Sequence, residues 1–329
     1  MSVLFAPARH APLAAAPWSD GAARATLEGL VAGLEDAYRG PELLWPNHLD
    51  DLAGDPDVPL RTLYLGAGGI VWALARLART GRAAPRIDLP RLAAQLVEDW
   101  REASEFTSLY PGLQPSLLMG ESGLRLLREL LAPDAANAAA LATCIRANAE
   151  NPTRELLWGS PGTMLAAAEL AGPGALEPWA SAWREDARWL LAEWRDELWV
   201  QDMYGKEATY VGAGHGFAGN VHALLRGAHL LEPAERAEVE RRATAVVERL
   251  AVREGALAQW PPLLGVELPP EQTQHTGQRH DHKERERRLE QVVVRPLRDE
   301  ISHRRHRINH TRLPLLDQRV PRPRRQVRS

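Results

Sequence analysis

Only one cysteine, Cys144, occurs among the 329 residues. That excludes an intramolecular disulfide framework and every zinc site that needs two thiolates from this chain, and it fits a reducing compartment. No run of about 18 apolar residues occurs, so no segment is expected to span a bilayer. Residues 1–17 offer a short apolar stretch at 11–16, interrupted by Pro12 and followed by Pro17, too short and weak for a secretory signal. With 45% hydrophobic and 25% charged residues, the composition excludes a mainly disordered chain, a collagen-like polymer and a coiled-coil rod. The length allows two ordinary domains or one larger closed helical architecture.

The formal charge of −3 hides two unlike regions. Residues 271–329 hold sixteen Lys and Arg against eight Asp and Glu, a net of +8, so residues 1–270 carry 24 against 35, a net of −11. The tail also lacks Ala, Trp, Tyr, Phe, Met and Cys, whereas all eleven Trp lie in the body. A segment without those residues cannot build much core, so 271–329 is expected to be a solvated, disordered extension. Two other readings stay open. The basic runs at 303–307 and 321–325 could meet nucleic-acid phosphates, although no aromatic residue is interleaved for base stacking. Alternatively, an Ala-rich chain that turns abruptly into Arg, His, Pro and Gln is what a GC-rich message read out of frame would give; one unbroken frame on resequencing would remove that reading.

In the body a Gly-x-x-Gly element recurs before an apolar segment: LGAGGIVWAL from Leu65, MGESGLRLL from Met119, WGSPGTMLAA from Trp158 and HGFAGNVHALL from His215. The glycine pairs are Gly66 and Gly69, Gly120 and Gly123, Gly159 and Gly162, and Gly216 and Gly219. Successive first glycines lie 54, 39 and 57 residues apart, room for one helix pair per unit. The segments that follow, 70–78, 163–171 and 221–231, are apolar nearly all round and read as buried inner helices. Between them run single apolar stripes: Leu89, Leu92, Leu96 and Trp100; Trp179, Trp183, Ala187, Leu190 and Trp194; Val239, Ala243, Val246 and Leu250. Spacings of three and four make these outer helices with one wet face. Asp88 with Pro90, and Glu232 with Pro233, mark two of their starts. The only strand-like stretch is Leu289–Leu297, in the tail.

Alternating fully and half-buried helices require two layers. The expectation is an all-α fold, an α/α toroid of inner and outer helices left incomplete on its C-terminal side, occupying residues 1–270. The glycines favour a ring over an open superhelix, because helix starts without a Cβ can crowd towards a common centre.

These residues resemble the lanthionine synthetase C-like (LanC-like) family. ELLWGSPGTMLAA at 155–167 and GAGHGFAGNVHAL at 212–224 look like the third and fourth repeats of its bacterial members, and the stretches at Tyr64 and Leu117 resemble the first and second. The likeness covers about residues 61–262. It implies addition of a cysteine thiol to a dehydrated Ser or Thr, which closes a thioether ring in a peptide, with zinc lowering the thiol pKa. Some relatives resemble glutathione-binding or glutathione-adding proteins, so a peptide or small thiol is the implied partner. The family histidine that transfers protons near the metal maps onto His215, a role suited to imidazole. The family's zinc ligands, a Cys in a Trp-Cys-x-Gly element and a later Cys-His pair, have no counterpart here. After AQWPP at 258–262, which looks like the approach to the fifth repeat, the chain enters the basic tail. The expected protein is therefore a cytoplasmic, metal-free relative with no cofactor of its own and impaired catalysis. A peptide- or glutathione-binding protein without turnover is the alternative.

Other residues admit plainer roles. His215, His222 and His229 recur every seven residues, but two helical turns separate successive rings by about 10 Å, too far for one ion. Tail histidines His275, His280 and His282 lack a scaffold. Glu121, Asp202 and Glu207 lie near the glycine loops; as an acid and base pair they would suit a carbohydrate-active toroid enzyme, while Glu121 would equally complement a helix dipole. Tyr210, Tyr204, Trp158 and Trp199 could stack on a ligand or pack in the core. Glu121, Asp202 and Tyr210 are the candidate substrate-binding residues, and Cys144 reads as a small buried side chain.

Overall fold

A computed structural model describes residues 17–47, 57–103, 114–195, 198–203 and 205–265. The expectations for the basic tail and for the strand-like 289–297 stretch lie outside the described residues, as does Tyr204.

Nine α-helices form among the described residues: α1 (Asp20–Ala37), α2 (Ala67–Arg79), α3 (Leu89–Ala103), α4 (Glu121–Leu131), α5 (Ala135–Ala147), α6 (Ser160–Ala171), α7 (Trp179–Ala192), α8 (Phe217–Arg226) and α9 (Pro233–Leu250). Each Gly-x-x-Gly element heads an even-numbered helix, its first glycine standing at the N-cap without a side-chain cap. Of the helices between, α3, α5 and α9 start with polar caps, while α7 starts at Pro178 without a side-chain cap. Asp88 accepts from Arg91 N at 3.1 Å, Asp134 accepts from Ala136 N and Asn137 N, and Glu232 with Glu235 forms a capping box before α9.

Packing follows the same alternation. α2, α4, α6 and α8 pack side by side in that order, while α3 lies on α2 and α4, α5 on α4 and α6, α7 on α5 and α6, and α9 on α8. This is a two-layered helical arrangement, inner helices covered by outer ones. The outer stripes face the core: Leu92, Leu96 and Trp100 of α3 are buried, as are Trp183, Ala187 and Leu190 of α7 and Val239 and Val246 of α9.

The glycines solve a crowding problem in which backbone geometry plays little part, since all four first glycines are at negative φ. A Cβ on Gly66, Gly120 or Gly216 would lie 2.0–2.2 Å from the oxygen of Leu60, Gln114 or Tyr210 respectively, because the preceding loop folds back across the helix start. The second glycines link one unit to the next. The loop residue three positions before each first glycine is Leu63, Leu117, Leu156 or Ala213. Its carbonyl covers the second glycine of its own unit. The leucines also reach the following unit: Leu63 packs on Gly123, Leu117 on Gly162 and Leu156 on Gly219. Any side chain there would push adjacent units apart.

Burial of the inner helices is uneven. α6 is buried nearly all round, whereas α2 leaves Trp72 half exposed and α8 leaves His222, Leu225 and Arg226 exposed. The expectation of full burial thus holds best for α6 and fails for α2 and α8, which end the row; α4, also flanked on both sides, leaves Leu130 exposed.

Extended structure is slight but was not anticipated in the body. β1 (Gln201–Met203) pairs antiparallel with β2 (Lys206–Tyr210), which pairs with β5 (Leu263–Leu264); β3 (Val252–Glu254) pairs with β4 (Leu257–Gln259). Gly205, at φ +73°, makes the first turn. The bulk is all-helical, with two small sheets as the correction. No helix among the described residues is long and apolar enough to cross a membrane.

Candidate functional site

The best-defined polar constellation lies where the loop before α6 meets the loop before α8. Glu155 is completely buried. Its carboxylate accepts from the backbone N–H groups of Leu157, at 2.9 Å, and Trp158, and its own carbonyl accepts from Gly159 N at 2.9 Å. One carboxylate oxygen lies 2.9 Å from His215 Nδ1. A carboxylate can only accept, so Nδ1 donates its hydrogen to Glu155, and Nε2 is the ring nitrogen left for another partner. The imidazole is partly exposed while its partner is fully enclosed. Tyr210 stands beside it, the ring centroids 5.9 Å apart.

The residues around Glu155 hold it firmly. Arg154 adopts φ +42°, a left-handed conformation costly for a residue with a side chain. Its carbonyl accepts from Asn220 Nδ2 of α8 at 2.8 Å and from Gln201 Nε2 of β1 at 3.4 Å. Gln201 Oε1 in turn accepts from Tyr210 N at 2.8 Å. The Arg154 guanidinium pairs with Glu193 at 3.2 Å, donates to Val200 O at 3.2 Å and sits over the Trp189 ring. Beneath the loop, Asn148 and Asn151 donate to Trp158 O, and Thr153 donates to Asn151 Oδ1. Three elements, α8, β1 and the loop 148–158, therefore fix the acceptor that orients His215.

Of the residues singled out from sequence, His215 and Tyr210 come together here. Asp202 lies on β1 directly opposite Glu207 of β2. Glu121 opens α4 and is ion-paired with the buried Arg125, whose guanidinium also reaches Asn137 of α5 at 3.4 Å. The Glu121 charge also raises the thiol pKa of Cys144 on α5. The eight repeat glycines stand at the starts of the four inner helices. His229 contacts Gly172 O through Nε2 at 2.8 Å, and His222 is exposed on α8. The three histidines thus have three separate surroundings. Glu155 was within reach of sequence reasoning, being four residues before Gly159 in the same motif, but nothing in the sequence joined it to a histidine sixty residues away.

The donors do not fit the family's zinc. Burial first, then the Glu121 charge, push the Cys144 thiol up to about 11, so it remains protonated near neutrality. Among the described residues no group of three or more His, Cys, Asp or Glu could hold a metal ion. A scan against family models and a search of curated proteins both found no match to this chain.

Proposed function

We propose that these units belong to a LanC-like α/α toroid and that the His215–Glu155 pair moves a proton while a cysteine thiol adds to a dehydrated Ser or Thr of a peptide. The ring is supported by four inner helices packed in chain order, each headed by the same glycine element and interlocked through its loop leucine. The chemistry rests on one observation above all, the 2.9 Å contact that fixes Nδ1 on a buried acceptor and leaves Nε2 as the free base. In that role Nε2 takes the thiol proton as sulfur bonds to the β-carbon of the dehydrated residue; the C=C π electrons pass to the α-carbon, which then receives a proton back. The setting is the cytoplasm, where a reduced thiol is available as reactant.

Without the family's thiolate ligands, His215 alone supplies activation, and general base catalysis of this kind contributes about 10²- to 10⁴-fold. A peptide carrying one dehydrated residue and one cysteine, incubated with the full chain, should lose its free thiol at constant mass at a rate above that of the peptide alone. His215→Asn and Glu155→Gln should return the rate to background with binding preserved. Binding by the unaltered protein without acceleration would favour the second reading, a peptide- or glutathione-binding protein, consistent with the missing thiolates. No binding would reject both. The carbohydrate reading is disfavoured because Glu121 is already committed to Arg125.

A further inference from the structure

The inner helices share a second pattern beyond their starts. Six residues after the first glycine of each element stand Trp72, Leu126, Leu165 and His222; ten residues after it stand Arg76, Leu130, Glu169 and Arg226. Positions four apart on a helix share a face, and all eight line one cavity of about 920 Å³. The cavity is thus a trough along the inner helices, with an apolar layer near the glycine end and a charged layer one turn further on. Trp72 and Leu130 are both more than 40% exposed, so the trough is open to entry.

Its charges do not cancel. Three arginines, Arg76, Arg79 and Arg226, stand against two carboxylates, Asp88, which caps α3, and Glu169, which faces Arg226 at 3.6 Å, leaving a net of +1. Arg76 lies over the Trp72 ring, and neither it nor Arg79, which also lines the cavity, has a carboxylate partner among the described residues. An apolar trough of ligand size, with a net positive lining and two guanidinium groups outside any ion pair among the described residues at one end, suits a particular chemistry. We propose that it binds an anionic amphiphile, a molecule with an apolar chain and one carboxylate or phosphate head. The chain lies against Trp72, Leu126 and Leu165, and the head is held by Arg76 and Arg79. This site stands apart from the His215 pair, and neither proposal requires the other.

The test is isothermal titration of the full chain with dodecanoate, dodecyl phosphate, dodecanol and dodecyltrimethylammonium, each below its critical micelle concentration. The expected result is one-to-one binding of at least one of the anions, at least tenfold tighter than the alcohol, with the cation weaker still; the two anions distinguish a carboxylate from a phosphate preference. Arg76→Gln with Arg79→Gln should bring the anion down to the level of the alcohol. Leu130→Trp, at a half-exposed position, should weaken all chain ligands while circular dichroism stays unchanged. Equal affinity for anion and alcohol, no effect of the double substitution, or binding of an acidic amphipathic peptide but of none of these small molecules would overturn the proposal.

Discussion

α2 and α6 begin alike, each behind a Gly-x-x-Gly element and each covered by a loop that folds back over its first turn, yet they end up in different surroundings. α6 is enclosed by inner neighbours on both sides and by α7 outside, and even its Ser160 and Thr163 are buried. α2 has only α4 beside it in the inner row, and its Trp72 looks into an open trough. The glycine element therefore determines where an inner helix starts and how closely the next unit approaches, while position in the row determines how much is buried. The same contrast separates the firmly wired loop 148–158 before α6 from the open end of α2.

The largest expected effect comes from comparing two tryptophans across that divide. Trp183, on the outer helix that covers α6, is fully buried and stacked against Gly227. Trp183→Ala should cost roughly 3–5 kcal/mol in chemical denaturation, whereas Trp72→Ala should cost about 1 kcal/mol or less. Equal losses would mean the trough is closed and Trp72 is core. The glycines sharpen the point. Gly162→Ala places a methyl 2.4 Å from Leu156 O inside the packed unit, and roughly 2–4 kcal/mol should be lost. Gly33→Ala on α1, with open space around it, should gain up to about 1 kcal/mol from helix propensity.

Asp186 of α7 tests the enclosure electrostatically. It is fully buried, neither carboxylate oxygen has a partner among the described residues, and burial, then the charge of Glu185, push its pKa up to about 8. The folded state therefore holds a proton that the unfolded chain releases near pH 4. Its stabilising contribution is complete below about pH 4 and fades as pH rises towards 8. Asp186→Asn should flatten stability across that window and raise it at pH 8 by about 2 kcal/mol or more, each pKa unit being worth about 1.4 kcal/mol. A melting temperature that follows pH identically in both proteins would contradict this. The smallest effect concerns rate alone. With its thiol pKa at about 11 against an ordinary 9, Cys144 should react with iodoacetamide at pH 7.5 on the order of 100-fold more slowly in the folded protein than in denaturant.

The helices were legible because their signals are local and periodic: the 89–100 and 179–190 stripes specify both a helix and its buried face. The glycine elements were legible as a repeat, but their reason was only half visible. The expectation was of helix starts crowding towards a common centre; the contacts at the glycines come instead from each unit's own loop and the preceding unit's leucine, which depend on three-dimensional return paths. The strands at 201–210 were missed because three and five residues with mixed polarity carry little period-2 signal. They are held by tertiary pairing with β5 and by the Gln201 side chain. In the site, the sequence pointed to His215 and Tyr210 but not to Glu155, since a buried carboxylate and an imidazole meet only after two loops are brought together. Glu121 and Asp202 illustrate the converse: proximity to a glycine loop in sequence says nothing about the direction a carboxylate faces.

The most direct test of the His215 site is the nitrogen-15 spectrum of the ring in the unaltered protein and in Glu155→Gln. The expected result is a neutral imidazole with its hydrogen on Nδ1 and a bare Nε2, a preference lost or weakened in the variant. A ring with its hydrogen on Nε2, or one indifferent to the loss of Glu155, would contradict it.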